Sequence, residues 1–135
     1  MGSRVIFIDS SVVVAILSGE DDAPAWSERI HEAKSRFTSA LVMVEASMRL
    51  CTKLALEPSR VEDVTRAFLS QGRIEITPII AEDTALAMDA FARYGKGRGH
   101  KAQLNLADCL SYACAKRLGA KLLYKGDDFA RTDLT

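Results

Sequence analysis

The first constraint on the fold is a short apolar run near the start of the chain. The segment from Val5 to Ile8, VIFI, is wholly apolar and mainly β-branched. Such a run is typical of a strand buried on both faces, as in a parallel sheet that helices cover. Asp9 follows at once and is the one charge between Val5 and Leu17. The sequence therefore predicts a buried strand with a carboxylate at its end.

The rest of the chain alternates predicted helices with short predicted strands, whose boundaries follow from capping residues, prolines and glycines. The predicted helices cover Val12 to Ser18, Pro24 to Ser35, Ala40 to Ala55, Pro58 to Gln71, Ala81 to Tyr94 and Leu106 to Leu118. The other predicted strands cover Arg36 to Thr38, Arg73 to Pro78 and Leu122 to Tyr124. This order predicts an α/β fold: a three-layer sandwich with a short, mainly parallel central sheet flanked by helices, forming one domain over residues 1–135.

The predicted core faces of two helices follow from the spacing of their apolar residues. They comprise Ala85, Met88, Phe91 and Ala92 in the helix from Ala81, and Leu41, Val44 and Met48 in the helix from Ala40. Glu45 lies within the second face or at its edge, where a charge is unusual. The alternative is an exposed glutamate paired with Arg49 one turn later. Glu45 is therefore a candidate site residue.

The overall charge, the apolar runs and the cysteines argue against a strongly basic nucleic-acid-binding protein, a membrane protein and a secreted, disulfide-linked protein. Lysine plus arginine balances aspartate plus glutamate, 18 against 18, so any affinity for nucleic acid must come from a local patch. No apolar run is long enough to cross a bilayer, and the N-terminus lacks a signal-peptide pattern. The cysteines, Cys51, Cys109 and Cys114, are odd in number and contain no C-x-x-C. We expect buried, reduced thiols in a cytoplasmic protein.

Further acids lie where the predicted sheet would place a ligand, beyond the carboxyl ends of its strands. Asp108 is the one charge in the apolar segment NLADCLSYACA. Its alternative role is to cap the helix that begins after Asn105. Asp127 and Asp128 follow the last predicted strand, although acidic pairs are also common in turns. Together with Asp9 and Glu45, these acids predict a shared pocket.

Clustered carboxylates repel one another unless a cation neutralises them. Oxygen ligands without nearby histidine or thiolate suit Mg²⁺ or Mn²⁺, which can activate a water and stabilise charge on a phosphate. The pattern therefore favours hydrolysis of a phosphodiester. Lys96, Arg98, His100 and Lys101 form a basic, glycine-rich loop just before the Asp108 helix, where they could position a phosphate backbone. The alternative is a solvated loop that only ends the preceding helix.

At this point the sequence resembles a known family. The segment VIFIDSSVVVAIL, the Glu45 helix, and the segments KGRGHKAQLN–x–x–D–C–x–S–Y and KGDDF–x–x–TD, in this order, resemble PIN-domain ribonucleases. Within these they are similar to the VapC toxins of bacterial toxin–antitoxin pairs. The resemblance spans nearly the whole chain, and its C-terminal third is the most specific part.

The resemblance implies a divalent-metal endoribonuclease directed at structured cellular RNA, such as transfer or ribosomal RNA. It also implies a cognate antitoxin whose tail occupies the active-site groove, and a homodimer. Carried over by motif, Asp9, Glu45 and Asp108 are the metal-binding acids and Asp128 is a supporting ligand, with Asp127 at a variable position. Ser10 or Ser11 would orient Asp9 or a bound phosphate.

The mechanism expected from these residues is attack of a metal-activated water, with Glu45 as ligand or base, leaving a 5′-phosphate and a 3′-hydroxyl. Other classes fit less well. A haloacid-dehalogenase-type phosphatase needs an aspartate, and a ribonuclease-H-like nuclease a glutamate, where Ser11 stands. A Mg²⁺-binding phosphoacceptor switch, with Lys125 as its lysine, needs an early acidic pair that is missing after Asp9. A catalytically silent PIN domain that only binds RNA or a partner is the remaining alternative.

Overall fold

The computed structural model describes residues 5–99, 102–126, 129, 130, 132 and 133. Within this part of the chain the strands are β1 (Val5–Ile8), β2 (Ser35–Thr38), β3 (Glu75–Ile76) and β4 (Lys121–Leu123). The helices are α1 (Ser10–Leu17), α2 (Ala23–Glu32), α3 (Ala40–Leu54), α4 (Pro58–Gly72), α5 (Glu82–Tyr94) and α6 (Leu106–Leu118). The predicted alternation of strands and helices is confirmed.

The four strands form one parallel sheet in the order β3-β2-β1-β4. Phe7 of β1 pairs with Phe37 of β2 on one side and with Leu122 of β4 on the other. The side chains of Ile6, Phe7 and Ile8 are almost completely buried, as their apolar character predicts. Because every strand runs in the same direction, all the carboxyl ends meet at one edge, and Asp9 lies there.

The helices form two groups around the sheet. Helix α1 packs against α2 and α3, and α3 packs against α4, whereas α5 packs mainly against α6. Helix α6 also contacts β1, β4 and α3. This is the predicted three-layer α/β arrangement. None of the helices in the described ranges is long and apolar enough to cross a membrane.

Several predicted boundaries were wrong by a few residues. The strand expected over Arg73 to Pro78 is reduced to Glu75–Ile76, because α4 extends to Gly72 and Arg73 closes it in the left-handed conformation with φ of 51°. The second helix ends at Glu32 rather than Ser35, because β2 begins at Ser35. The predicted caps are confirmed: the N–H of Val42 donates to Ser39 Oγ at 3.1 Å, at the start of α3.

The predicted core faces of α3 and α5 were wrong. In α5, Met88 is 59% exposed and Phe91 38% exposed, and the buried residues are instead Asp83, Ala90 and Tyr94. Ala85 and Ala92 are exposed as well. In α3, Val44 and Met48 are 54% and 68% exposed, and the buried residues are instead Val42, Met43, Ala46 and Leu50.

The physical reason in α5 is a buried ion pair. Asp83 is fully buried against Arg117 of α6, whose Nε donates to Asp83 Oδ1 at 2.7 Å. A face built around this pair and the small Ala90 lets α5 approach α6 closely, and it turns Met88 and Phe91 outward. A search for apolar spacing cannot find a face whose first buried residue is an acid.

The three cysteines are free thiols, as expected from their number. Cys109 and Cys114 are buried in α6, and burial raises the pKa of both thiols. Cys51 is only half-buried, because it lies toward the end of α3 beside the gap between α3 and α4. Thiols with raised pKa values are poor nucleophiles and metal ligands, which is consistent with a purely structural role for Cys109 and Cys114.

Candidate active site

The site is built around Asp9, the first residue after β1. Asp9 has an extended backbone, caps the N-terminus of α1, and is only 6% exposed. Its Oδ2 accepts hydrogen bonds from the N–H of Ser11 at 3.1 Å and from the Ser11 hydroxyl at 2.7 Å. Its own N–H donates to the carbonyl oxygen of Leu123 at 3.0 Å, which continues the β1–β4 pairing. The carboxylate is therefore fixed at the shared edge of the sheet.

Glu45 lies close to Asp9. The Ser10 hydroxyl donates to Glu45 Oε1 at 2.6 Å, so two consecutive serines hold the two carboxylates. Thr38, which ends β2, donates through Oγ1 to the carbonyl oxygen of Ile8 at 2.8 Å and so anchors the start of α3 against β1. The expected alternative for Glu45 is not observed, because among the described residues it forms no ion pair with Arg49.

The electrostatics of Asp9 follow from this arrangement. Burial raises the pKa of the Asp9 carboxyl, and the negative charge of Glu45 raises it further, against hydrogen bonds from Ser11 that lower it. Burial and the nearby second acid both make the negative charge of Asp9 unfavourable, and a bound cation would offset this cost. The carboxylate oxygens of Asp9 and Glu45 therefore fit a hard divalent cation in their chemistry.

Asp108 forms a capping box at the start of α6. The Asn105 side chain accepts from the N–H of Asp108 at 2.9 Å, and Asp108 Oδ2 accepts from the N–H of Asn105 at 3.1 Å. Asp108 is buried, with 7% exposure. The capping role given as its alternative is therefore confirmed. A role in a site is compatible with it, because α6 packs against both β1 and the Glu45 helix.

The predicted convergence of all the acids is only partly visible. The structure brings Asp9 and Glu45 together. It places Asp108 in the first turn of α6, a helix that packs against β1 and α3. In the described ranges, no group of three His, Cys, Asp or Glu side chains is arranged to hold a metal ion. Asp127 and Asp128 lie outside the described residues. The metal-binding roles of these acids stay predictions.

The basic loop precedes Asp108 directly. Its base is closed where the N–H of Lys96 donates to Leu104 O at 2.9 Å and the N–H of Leu104 donates to Tyr94 O at 2.8 Å. Gly97 and Gly99 both have φ of 84°, which only glycine adopts without strain. Lys96 and Arg98 are exposed, and the Arg98 guanidinium lies 5.6 Å from the centre of the Phe91 ring. Lys101 and His100 lie outside the described residues.

Of the two serines, Ser11 bonds to Asp9, as the resemblance suggested for one of them, whereas Ser10 bonds to Glu45. Ser10, a predicted substrate ligand, is buried and donates to Glu45. Ser11 is the serine that orients Asp9, and its Oγ also accepts from the N–H of Lys125 at 2.8 Å. The sequence alone suggests Lys125 only as the lysine of a phosphoacceptor switch. The contact joins residues 114 positions apart, so no local sequence pattern signals it.

The chain is similar in sequence to proteins named as VapC ribonucleases. VapC ribonuclease R02377 of Rhizobium meliloti is 36% identical over 140 residues, which cover 95% of this chain and 98% of that protein. Ribonuclease VapC42 of Mycobacterium tuberculosis is 36% identical over 129 residues, and the match covers 96% of each protein. Both relatives are therefore matched along nearly their whole length.

Two solved structures share the fold. VapC20 of Mycobacterium tuberculosis, a sarcin–ricin loop cleaving toxin, has a TM-score of 0.75 at 16% identity, covering 96% of each chain. VapBC2 from Rickettsia felis, bound to a DNA fragment from its promoter, has a TM-score of 0.72 at 18% identity, covering 96% of this chain and 94% of the other. The PIN domain family model matches residues 6–134. Because the family model matches nearly the whole chain and the two relatives are 36% identical along nearly their whole length, the chain belongs to the PIN-domain family and, within it, to the VapC ribonucleases.

Proposed function

We propose that this chain is a divalent-metal-dependent endoribonuclease and the toxin of a toxin–antitoxin pair. As a VapC ribonuclease, it is a hydrolase of RNA phosphodiester bonds. The observation that carries the proposed site is the buried Asp9 carboxylate beside Glu45, held by two serines at the carboxyl edge of the sheet. One domain over residues 1–135 performs this function.

Asp9, Glu45 and Asp108 would hold Mg²⁺ or Mn²⁺, and Asp128 would support them. When bound, the ion lowers the pKa of water and neutralises charge on the phosphate. The chain's own residues prepare this chemistry: Ser11 holds Asp9, and Ser10 holds Glu45. Glu45 would complete the ligand set or take the proton from the attacking water. The water oxygen would bond to phosphorus as the P–O3′ bond breaks and the leaving 3′ oxygen takes up a proton, which gives a 5′-phosphate and a 3′-hydroxyl.

The RNA would be gripped beside this site. Lys96 and Arg98 are exposed on the loop that leads into α6, and Lys101 follows them in the sequence. Lysine and arginine contact phosphates without reading the bases, so they position the strand rather than select it. We propose structured cellular RNA, transfer or ribosomal RNA, as the substrate. The description of VapC20 as a sarcin–ricin loop cleaving toxin supports the ribosomal choice.

The proposed protein partners are a cognate antitoxin and a second copy of the chain. A groove of about 620 Å³ between α2 and α4 is lined by Ile16, Ile30, Val64, Phe68 and Ile74 and suits an antitoxin helix. The exposed Val44, Met48, Met88 and Phe91 on α3 and α5 are apolar surface that a homodimer could cover. The VapBC2 structure supports the antitoxin, and the free cysteines support a cytoplasmic location.

The test of the proposed function is cleavage of total cellular RNA by the purified protein with Mg²⁺, with the cleaved ends mapped. We expect discrete cuts that leave 5′-phosphates and disappear with a chelator, because the carboxylates cannot act without the cation. Cleavage that persists in chelator would contradict the metal-dependent mechanism. Incubation with acetyl phosphate tests the phosphoacceptor alternative, which predicts a phosphorylated aspartate in place of RNA cleavage.

Asp108→Asn separates the two roles of Asp108. Asparagine keeps an oxygen that can accept from the N–H of Asn105, so the capping box and the stability of α6 should be nearly unchanged. The charge is lost, however, and we expect cleavage to fall about 10- to 100-fold. The measurements are the cleavage rate and the urea midpoint of unfolding. Unchanged cleavage would show that Asp108 serves only as a cap.

A further inference from the structure

A network of four charged side chains joins the turn after α1 to the segment after β4. The Lys125 ammonium bonds to the Glu20 carboxylate and donates to Asp22 Oδ1 at 3.0 Å. The second oxygen of Glu20 accepts from Lys53 Nζ of α3 at 2.6 Å. Asp22 is in turn fixed by the Trp26 indole, whose Nε1 donates to Oδ2 at 3.0 Å. Lys125 is therefore held by two acids that other residues already orient.

The main chain of Lys125 is linked to the candidate active site. Its N–H donates to Ser11 Oγ at 2.8 Å, and the Ser11 hydroxyl lies 2.7 Å from Asp9 Oδ2. A hydroxyl has a single proton. Because Ser11 Oγ accepts a hydrogen bond from the main-chain N–H of Lys125, the proton of the Ser11 hydroxyl is left to donate to Asp9. The position of the Lys125 main chain thus sets the orientation of Ser11 and, through it, the Asp9 carboxylate.

We propose that Lys125 is a positioning residue for the ribonuclease reaction. Glu20 and Asp22 bind the Lys125 side chain and so fix the position of the Lys125 main chain. In that position the Lys125 N–H can orient the Ser11 hydroxyl toward Asp9. The inference rests on the proposed function. The four charged side chains are about a quarter to half exposed, and ion pairs of that kind add little to folding stability. The effect of these ion pairs should therefore fall on catalysis and leave stability nearly unchanged.

The first test compares Lys125→Met with Lys125→Arg in a cleavage assay with Mg²⁺. Mutation of a residue that orients a metal ligand through a hydrogen bond typically lowers activity by about 10- to 100-fold. We expect Lys125→Met to lower kcat by about 10-fold with little change in KM, and Lys125→Arg to restore most of it, because arginine can also bond both acids. The melting temperatures should agree within about 2 °C.

The second test distinguishes positioning from direct binding of RNA phosphate by Lys125. The double variant Glu20→Gln, Asp22→Asn removes the ion pairs of Lys125 but leaves the lysine. Positioning predicts the same loss of kcat as Lys125→Met, with no further loss when all three changes are combined. Direct RNA binding predicts equal or higher activity, because the lysine is released. Arg66→Met is the matched control: it removes an exposed ion pair with Glu62 on α4 that is not part of this network, and it should leave cleavage unchanged.

A readout independent of activity is the hydrogen exchange of the Lys125 amide, measured by NMR. The hydrogen bond to Ser11 protects this amide, so the Glu20→Gln, Asp22→Asn variant should exchange it faster. Unchanged exchange, or full cleavage by Lys125→Met, would overturn the inference alone. Failure of the wild-type protein to cleave RNA with Mg²⁺ would instead overturn the proposed function, and the inference with it.

Discussion

Asp9→Asn is expected to lower the rate of RNA cleavage by at least about 100-fold while leaving the protein folded. The change removes the charge that would hold the cation. It keeps the local structure, because asparagine is as good an N-cap as aspartate and its amide oxygen can accept the two hydrogen bonds from Ser11. Since the Asp9 carboxylate is nearly buried beside Glu45, the neutral amide should even lose an unfavourable charge contact.

The measurement is cleavage of total cellular RNA with Mg²⁺ by the two proteins at equal concentration, with melting temperatures recorded in parallel. The matched control is Asp63→Asn, an exposed aspartate on α4, which should cleave like the wild type. Equal cleavage by wild type and Asp9→Asn would remove Asp9 from the site. A large fall in melting temperature would instead assign the loss of activity to folding.

The centre of the fold could be predicted because its signals are local. The apolar β-branched run of Val5–Ile8 has few alternatives to a doubly buried parallel strand, and its end places Asp9 at the ligand edge. The caps at Ser39 and Asn105 are short-range patterns that the structure reproduces. The sequence also predicts that Asp9 and Glu45 lie near each other, and in the structure the adjacent Ser11 and Ser10 bond to their two carboxylates.

What the sequence did not reveal depends on contacts between distant parts of the chain. The buried face of α5 includes Asp83, whose partner Arg117 lies 34 positions away, so an analysis of apolar spacing selects the wrong side of the helix. In the same way, Ser11 and Lys125 meet only because β1 and β4 are neighbours in the sheet. Exposed Met48 and Met88 resemble core residues in sequence, because the spacing of apolar residues along a helix does not by itself show which face is buried.

Arg117→Met is expected to destabilise the protein by about 3–5 kcal/mol, as the breaking of a buried ion pair typically does. Arg117 bonds to both oxygens of Asp83, with Nε at 2.7 Å from Oδ1 and Nη2 at 3.2 Å from Oδ2, and Nη2 also donates to Pro78 O at 2.9 Å. Methionine fills much of the same space but leaves Asp83, which is fully buried, with an uncompensated charge. The free energy of unfolding from urea titration at neutral pH measures the effect.

The control for this change is Arg66→Met, which removes an exposed pair with Glu62 on α4 and should cost no more than about 0.5 kcal/mol.

The pH dependence gives a second check. Burial by itself would raise the pKa of Asp83, but the hydrogen bonds from Arg117 and from the N–H of Ile80 outweigh it and lower that pKa. A lowered pKa contributes stability above the unfolded value of about 3.9, and this stability is lost as the pH falls through the folded value. The difference in the free energy of unfolding between the wild type and Arg117→Met should therefore shrink as the solution is acidified, because Asp83 becomes neutral in both proteins. A difference that stays constant down to strongly acidic pH would contradict the ion-pair explanation.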